Sequence, residues 1–96
     1  MAFYNPDGEY KIFVFALSTC VHCRRSKELL DEMGVDYGHV EVDLLGENEM
    51  AEALEEVGKY NPAQTFPTII IGSRVIVGYK ADDIRQEVNK VLQRNK

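Results

Sequence analysis

Two cysteines stand three residues apart in the stretch Leu17–Arg25, LSTCVHCRR, with His22 between them and Arg24 and Arg25 directly after. Thiols at that spacing serve one of three chemistries: part of a metal-ligand set, a structural disulfide, or a dithiol that trades electrons with other disulfides. A structural bond between Cys20 and Cys23 would close a very small loop, and because entropic stabilisation grows with loop length it would contribute little. A disulfide-held secreted scaffold also needs more than the two cysteines this chain carries. A closed zinc site takes about four N or S ligands, and beyond the cysteines the chain offers only His22 and His39. His22 cannot easily turn inward with both thiols, so no metal is assigned within one chain. An iron–sulfur or zinc centre shared by two chains stays open, since soft thiolates suit such metals.

The rest of the chain must position this pair. With 96 residues, 45% of them apolar, it has material for one small core and hence one domain, residues 1–96. The turn-forming Asn5-Pro6-Asp7-Gly8 could open a hairpin from Ala2–Tyr4, but residues 1–9 are expected to be a surface extension. The apolar run Ile12–Leu17 follows Asp7, Glu9 and Lys11 and is too short for a signal peptide or a membrane span, so a soluble, cytoplasmic protein is expected. A net charge of −5 argues against a nucleic-acid partner. Acidic residues dominate Glu41–Glu56, and Arg24, Arg25 and Lys27 cluster beside the cysteines; both clusters read first as solvated surface.

Strand and helix signals alternate. Lys11–Ala16 (KIFVFA) has the pattern of a strand covered on both faces. Leu29, Leu30 and Met33 then share a helical stripe that Gly34 would end. Val40–Leu44 (VEVDL) alternates like a strand with one wet face, and Met50, Leu54 and Val57 recur at helical spacing up to a stop near Gly58. The β-branched runs Thr68–Ile71 and Val75–Val77, joined by Gly72-Ser73-Arg74, predict an antiparallel hairpin. A last helix carries Ile84, Val88, Val91 and Leu92 on one face, with Asp82 or Asp83 as N-cap and Lys90, Arg94 and Lys96 complementing its dipole. The order β-α-β-α-β-β-α implies an α/β fold: a parallel right-handed crossover plus a hairpin, giving a four-stranded mixed sheet with helices on both faces.

In that frame Cys20 stands at the start of the first helix, where free N–H groups and the positive end of the dipole favour a thiolate. Cys23 lies one turn on, on the same side and toward the body of the protein, within disulfide reach. Cys20 is therefore expected to be the exposed nucleophile and Cys23 the buried resolving thiol. His22 would add positive charge beside Cys20 and raise the reduction potential.

Three motifs in order carry a family resemblance: TCVHC after the first strand, TFP (Thr65–Pro67) before the third, and VGYKADD (Val77–Asp83) leading into the last helix. Over nearly its whole length the chain resembles the glutaredoxins of the thioredoxin superfamily. The resemblance implies a thioredoxin-like fold, a redox-active Cys20–Cys23 disulfide, and no tightly bound cofactor. It also implies a cis Pro67 facing the cysteines, so that the Phe66 backbone pairs with a substrate strand. Thr65, Phe66, Pro67, Gly78, Tyr79 and Asp82 would then bind substrate.

Family members that use glutathione typically carry a lysine where this chain has Leu17 and a Gly-Gly pair where it has Gly78-Tyr79. Gln64, the Phe66 backbone and Asp82 would still fit glutathione as a co-substrate, but the missing cation and the bulk of Tyr79 argue against tight binding. Cys20-Val21-His22-Cys23 and Gly78-Tyr79-Lys80-Ala81-Asp82 are more similar to the redoxins that serve ribonucleotide reductase and take electrons from thioredoxin reductase. The resemblance thus implies a monomer that reduces protein disulfides, recharged by a thioredoxin-reductase-like enzyme or by glutathione.

Overall fold

The computed structural model describes residues 11–94. Its elements run β1 (Ile12–Ala16), α1 (Val21–Glu32), β2 (Gly38–Glu41), a 3₁₀ turn (Val42–Leu44), α2 (Glu47–Tyr60), β3 (Thr68–Ile71), β4 (Arg74–Val77) and α3 (Ala81–Arg94). The strands form one mixed sheet in the order β2-β1-β3-β4. β1 pairs parallel to β2 and antiparallel to β3, and β4 returns antiparallel along β3. This is the expected thioredoxin-like fold. The turn at Asn5–Gly8, the hairpin it would open, and Lys96 lie outside the described residues.

Alternation along β1 divides the core in two. Ile12, Val14 and Ala16 point to one face and pack with Cys23, Leu29 and Leu30 of α1 and Ile84 and Val88 of α3. Phe13 and Phe15 point to the other and meet Val42 and α2 residues Ala53 and Val57. All five β1 residues are buried, because helices cover both faces. Each large side chain fully buried this way contributes about 1.5–3 kcal/mol relative to exposure.

Where boundaries differ from expectation, tertiary partners explain the shift. The alternating run at Val40–Leu44 is not one strand: β2 ends at Glu41 because its last partner, Ala16, is the last residue of β1. Beyond that point Val42 turns inward and the chain tightens into the 3₁₀ turn. Helix α2 continues past Gly58 to Tyr60; Asn61 stops it with extended dihedrals, as a residue before proline favours. Gly58 instead makes room, since a Cβ there would lie 3.3 Å from the Gln64 side-chain nitrogen. Helix α3 starts two residues earlier than an Asp82 cap requires and three earlier than an Asp83 cap: the Lys80 carbonyl accepts the first helical bond, from the Ile84 N–H at 2.9 Å. Asp82 and Asp83 therefore sit in the first turn, where their charge still complements the dipole.

Two glycines do conform to their sequence signals. Gly34, at φ +69, ends α1: its N–H donates to the Asp31 carbonyl and that of Val35 to the Leu30 carbonyl, the paired bonds of a Schellman stop. Gly72, at φ +60, opens a two-residue turn with Ser73, so that Arg74 belongs to β4 rather than to the turn.

Candidate functional site

The site assembles where β1 ends and β3 begins. Cys20 is the N-cap of α1, with extended dihedrals, and its sulfur accepts the Cys23 backbone N–H at 3.2 Å. A cysteine thus fills the place that serine or aspartate usually takes, satisfying one of the unpaired donors at a helix start with sulfur. Cys20 is half-buried and Cys23 fully buried, and both are free thiols. Burial pushes the Cys23 thiol up to about 12, and the contact with the Cys20 sulfur pushes in the same direction; the Leu17 backbone and the Lys27 charge offset this only in part. Three residues apart, the two sulfurs occupy opposite environments.

The loop entering the site is clasped from across the sheet. Asp43 of the 3₁₀ turn accepts two hydrogen bonds from Ser18, from the backbone N–H at 2.8 Å and from the hydroxyl at 2.5 Å. Those bonds hold the Asp43 carboxyl below its ordinary range. No sequence signal marks this pair, which is 25 residues apart; Asp43 reads locally as the wet side of a strand.

The opposing loop carries Phe66-Pro67, and its peptide bond is cis. Asn61, 5% exposed, organises it. The Asn61 amide donates to the Thr65 carbonyl (3.2 Å), the Thr65 hydroxyl (3.0 Å) and the Thr68 hydroxyl (3.1 Å), while its oxygen accepts the Ala63 N–H. Pro67 is buried and its carbonyl accepts the Gly78 N–H at 2.9 Å, which joins two of the three sequence motifs directly. The only local sign of Asn61 is that it forms an Asn-Pro pair after a helix, a turn signal that says nothing of the threonines it gathers.

The structure brings Cys20, Phe66 and Tyr79 against the same core cluster, the one that contains Cys23. Gly78 has φ +88, a value that favours glycine. Asp82 is exposed in the first turn of α3 and pairs with Arg85 at 3.4 Å. His22 is exposed; its carbonyl accepts the Ser26 hydroxyl, and its ring makes no hydrogen bond among the described residues. Gln64, at φ +52, folds its side chain back onto α2 and donates to the Leu54 carbonyl at 2.8 Å.

The two charged clusters of the sequence also meet here. Lys27 is not fully solvated: its ammonium lies 2.5 Å from Glu41, with side-chain exposures of 24% and 20%. His39 Nδ1 approaches the same carboxylate at 3.0 Å. Burial alone would raise the Glu41 carboxyl, but the Lys27 hydrogen bond and the charges of His39 and Lys27 hold it below the usual range. Among the described residues no three His, Cys, Asp or Glu side chains group to hold a metal ion.

A thioredoxin-like fold with a cysteine at a helix N-cap, a second thiol one turn behind it and a cis-proline loop alongside defines a thiol–disulfide oxidoreductase. Residues 12–76 match the glutaredoxin family, and the chain belongs to it. It is 31% identical to human glutaredoxin-1 over 87 residues, covering 90% of this chain and 82% of that protein. Among solved structures, methanoredoxin of Methanosarcina acetivorans superposes with a TM-score of 0.78 at 40% identity, covering 88% of this chain and 92% of that one. A glutaredoxin of Methanosarcina mazei Go1 gives 0.75 at 45% identity, over 82% and 78% of the two chains.

Proposed function

We infer that this chain is a dithiol reductant of protein disulfides and that a thioredoxin-reductase-like enzyme recharges it. The observation that carries this is the asymmetry of the two sulfurs: Cys20 is accessible at a helix start, Cys23 sealed behind it as a thiol. The Cys20 thiolate attacks one sulfur of the partner's disulfide, and the partner's other sulfur leaves with the electron pair and takes a proton. Cys23 then gives up its proton and attacks Cys20, forming the intramolecular disulfide and releasing the partner's second thiol. Phe66, flanked by the Thr65 and Thr68 that Asn61 anchors, offers its backbone to the partner strand, with Thr65, Pro67, Gly78, Tyr79 and Asp82 framing it; His22 stands exposed at the rim beside Cys20. Ribonucleotide reductase is the partner class that the C-V-H-C and G-Y-K motifs suggest. The cytoplasm, where thiols are kept reduced, suits a monomer working this way.

Two features favour the reductase over glutathione as electron source. Leu17 supplies no cation, and the Gln64 amide, a candidate to hold the tripeptide, is spent on the Leu54 carbonyl. The test is NADPH oxidation with insulin disulfides as acceptor, coupled through thioredoxin reductase or through glutathione and its reductase. Turnover in the first coupling alone is expected. Turnover in the second alone would overturn the choice of reductant, and turnover in neither would point to another electron source.

A further inference from the structure

Resolution of the mixed disulfide is the step that the burial of Cys23 opposes. Cys23 is fully buried, and it must lose a proton before it can attack. Of the charged groups on neighbouring elements, the ones that act on its sulfur are Cys20, which opposes ionisation, and Lys27, which favours it. Lys27 follows Cys23 by four residues in α1, so the two side chains lie on one face a turn apart. The ammonium does not point freely to water: it is tied to Glu41, which it shares with His39 of β2, and the Lys27 side chain is three-quarters covered and that of Glu41 four-fifths. A charge so placed is less screened than a surface lysine, and the carboxylate 2.5 Å away cancels part of its field.

We propose that Lys27 is a positioning residue for resolution, its cation promoting the departure of the Cys23 proton, and that Glu41 acts as a brake on that cation. The proposal rests on the assignment of Cys23 as the resolving thiol. The chemistry balances within the exchange already described: the Cys23 proton passes to water, the Cys20–Cys23 bond forms as the Cys20–partner bond breaks, and the partner thiolate takes up a proton. Lys27 transfers nothing. It stabilises the anion that Cys23 becomes.

Two substitutions break the same ion pair and are expected to act in opposite directions. Lys27→Gln removes the cation and leaves Glu41 negative near the site; Glu41→Gln frees the cation. An ion pair that merely braced α1 against β2 would be lost equally in both. The reporter is 2,2′-dithiodipyridine, a neutral disulfide that releases one thiopyridone when Cys20 attacks and a second when Cys23 resolves, so the two steps are read separately in one stopped-flow trace.

The second phase should slow by about three- to tenfold in Lys27→Gln and quicken by a similar factor in Glu41→Gln, as one charge at helical-turn distance in a partly screened site implies. Lys27→Arg should hold the rate near wild type. The first phase, retained in all three, reports that each variant is folded and that Cys20 reacts. Changes of the same sign in the two neutralising variants, or no change in either, would overturn the proposal while leaving the exchange mechanism standing. A second release that survives in Cys23→Ser, or is missing in wild type, would instead remove the resolving role on which it rests.

Discussion

The two ends of the sheet are held by different means. At the end carrying the cysteines, loops are fixed by side chains reaching across the fold: Asp43 clasps Ser18, Asn61 gathers Thr65 and Thr68, and the Cys20 sulfur caps a helix. At the far end backbone bonds close the turns, with one side chain beside them, the Tyr37 hydroxyl donating to Asp31 at 2.9 Å. Gly34 closes α1 with two main-chain bonds, and the Gly72 N–H donates to the Lys11 carbonyl at 2.8 Å, extending the β1–β3 ladder up to the hairpin turn. Glycine turns need no particular side-chain chemistry, only a permitted φ. Side-chain clasps tie loop geometry to specific residues, so the end that must present a sulfur and a proline in register is also the end least tolerant of substitution.

The largest effect should come from the sulfurs themselves. Cys20→Ser should abolish disulfide reduction, whereas Cys23→Ser should accumulate a mixed disulfide with the partner, identifiable by mass under non-reducing conditions. Equal, mild losses in the two variants would erase the division of labour. Next, Asn61→Ala should cost about 1–3 kcal/mol in denaturant unfolding, because buried acceptors and donors at the Thr65 and Thr68 end lose their partner. It should also lower reduction rates in the folded fraction, since the Phe66-Pro67 loop loses its anchor. A variant that was destabilised yet fully active would dissolve the contrast between the ends.

Gly72→Ala sharpens the comparison from the other side. Positive φ is costly for alanine, and the new methyl would meet Val91 at 3.3 Å, so about 1 kcal/mol of stability should be lost. Thiol exchange per folded molecule should not change.

The smallest effect concerns pH. Because Ser18 lowers the Asp43 carboxyl, the clasp contributes stability above the ordinary carboxylate range and loses it as pH falls through the folded-state value. Asp43→Asn should therefore lower stability modestly at neutral pH and flatten the acid limb, so that variant and wild type converge once pH has fallen below the folded-state value. An acid limb identical in wild type and variant would remove the carboxylate from the account.

Much of this was legible in the chain. Local periodicity predicts the three α-helices, an apolar run predicts β1 and β-branched runs predict the hairpin, because those elements bury faces whose spacing is written in consecutive residues. The redox pair is legible for the same reason: a strand, a three-residue connection and a helix start suffice to place Cys20. What local pattern could not supply were features set by distant partners. The end of β2 depends on where β1 stops; Gly58 looks like a terminator but serves Gln64; Asp43 finds Ser18 only after folding. Lys27 illustrates the limit most plainly, reading as one of three surface cations until the sheet brings Glu41 against it.

The measurement that bears most directly on the central claim is timed alkylation of the fully reduced protein by iodoacetamide at neutral pH, with each cysteine quantified by peptide mass. The account predicts that Cys20 is modified first and nearly completely while Cys23, buried and held as a thiol by its surroundings, stays unlabelled until the protein is denatured. Labelling of Cys23 at the same rate as Cys20, in the folded state, would contradict it.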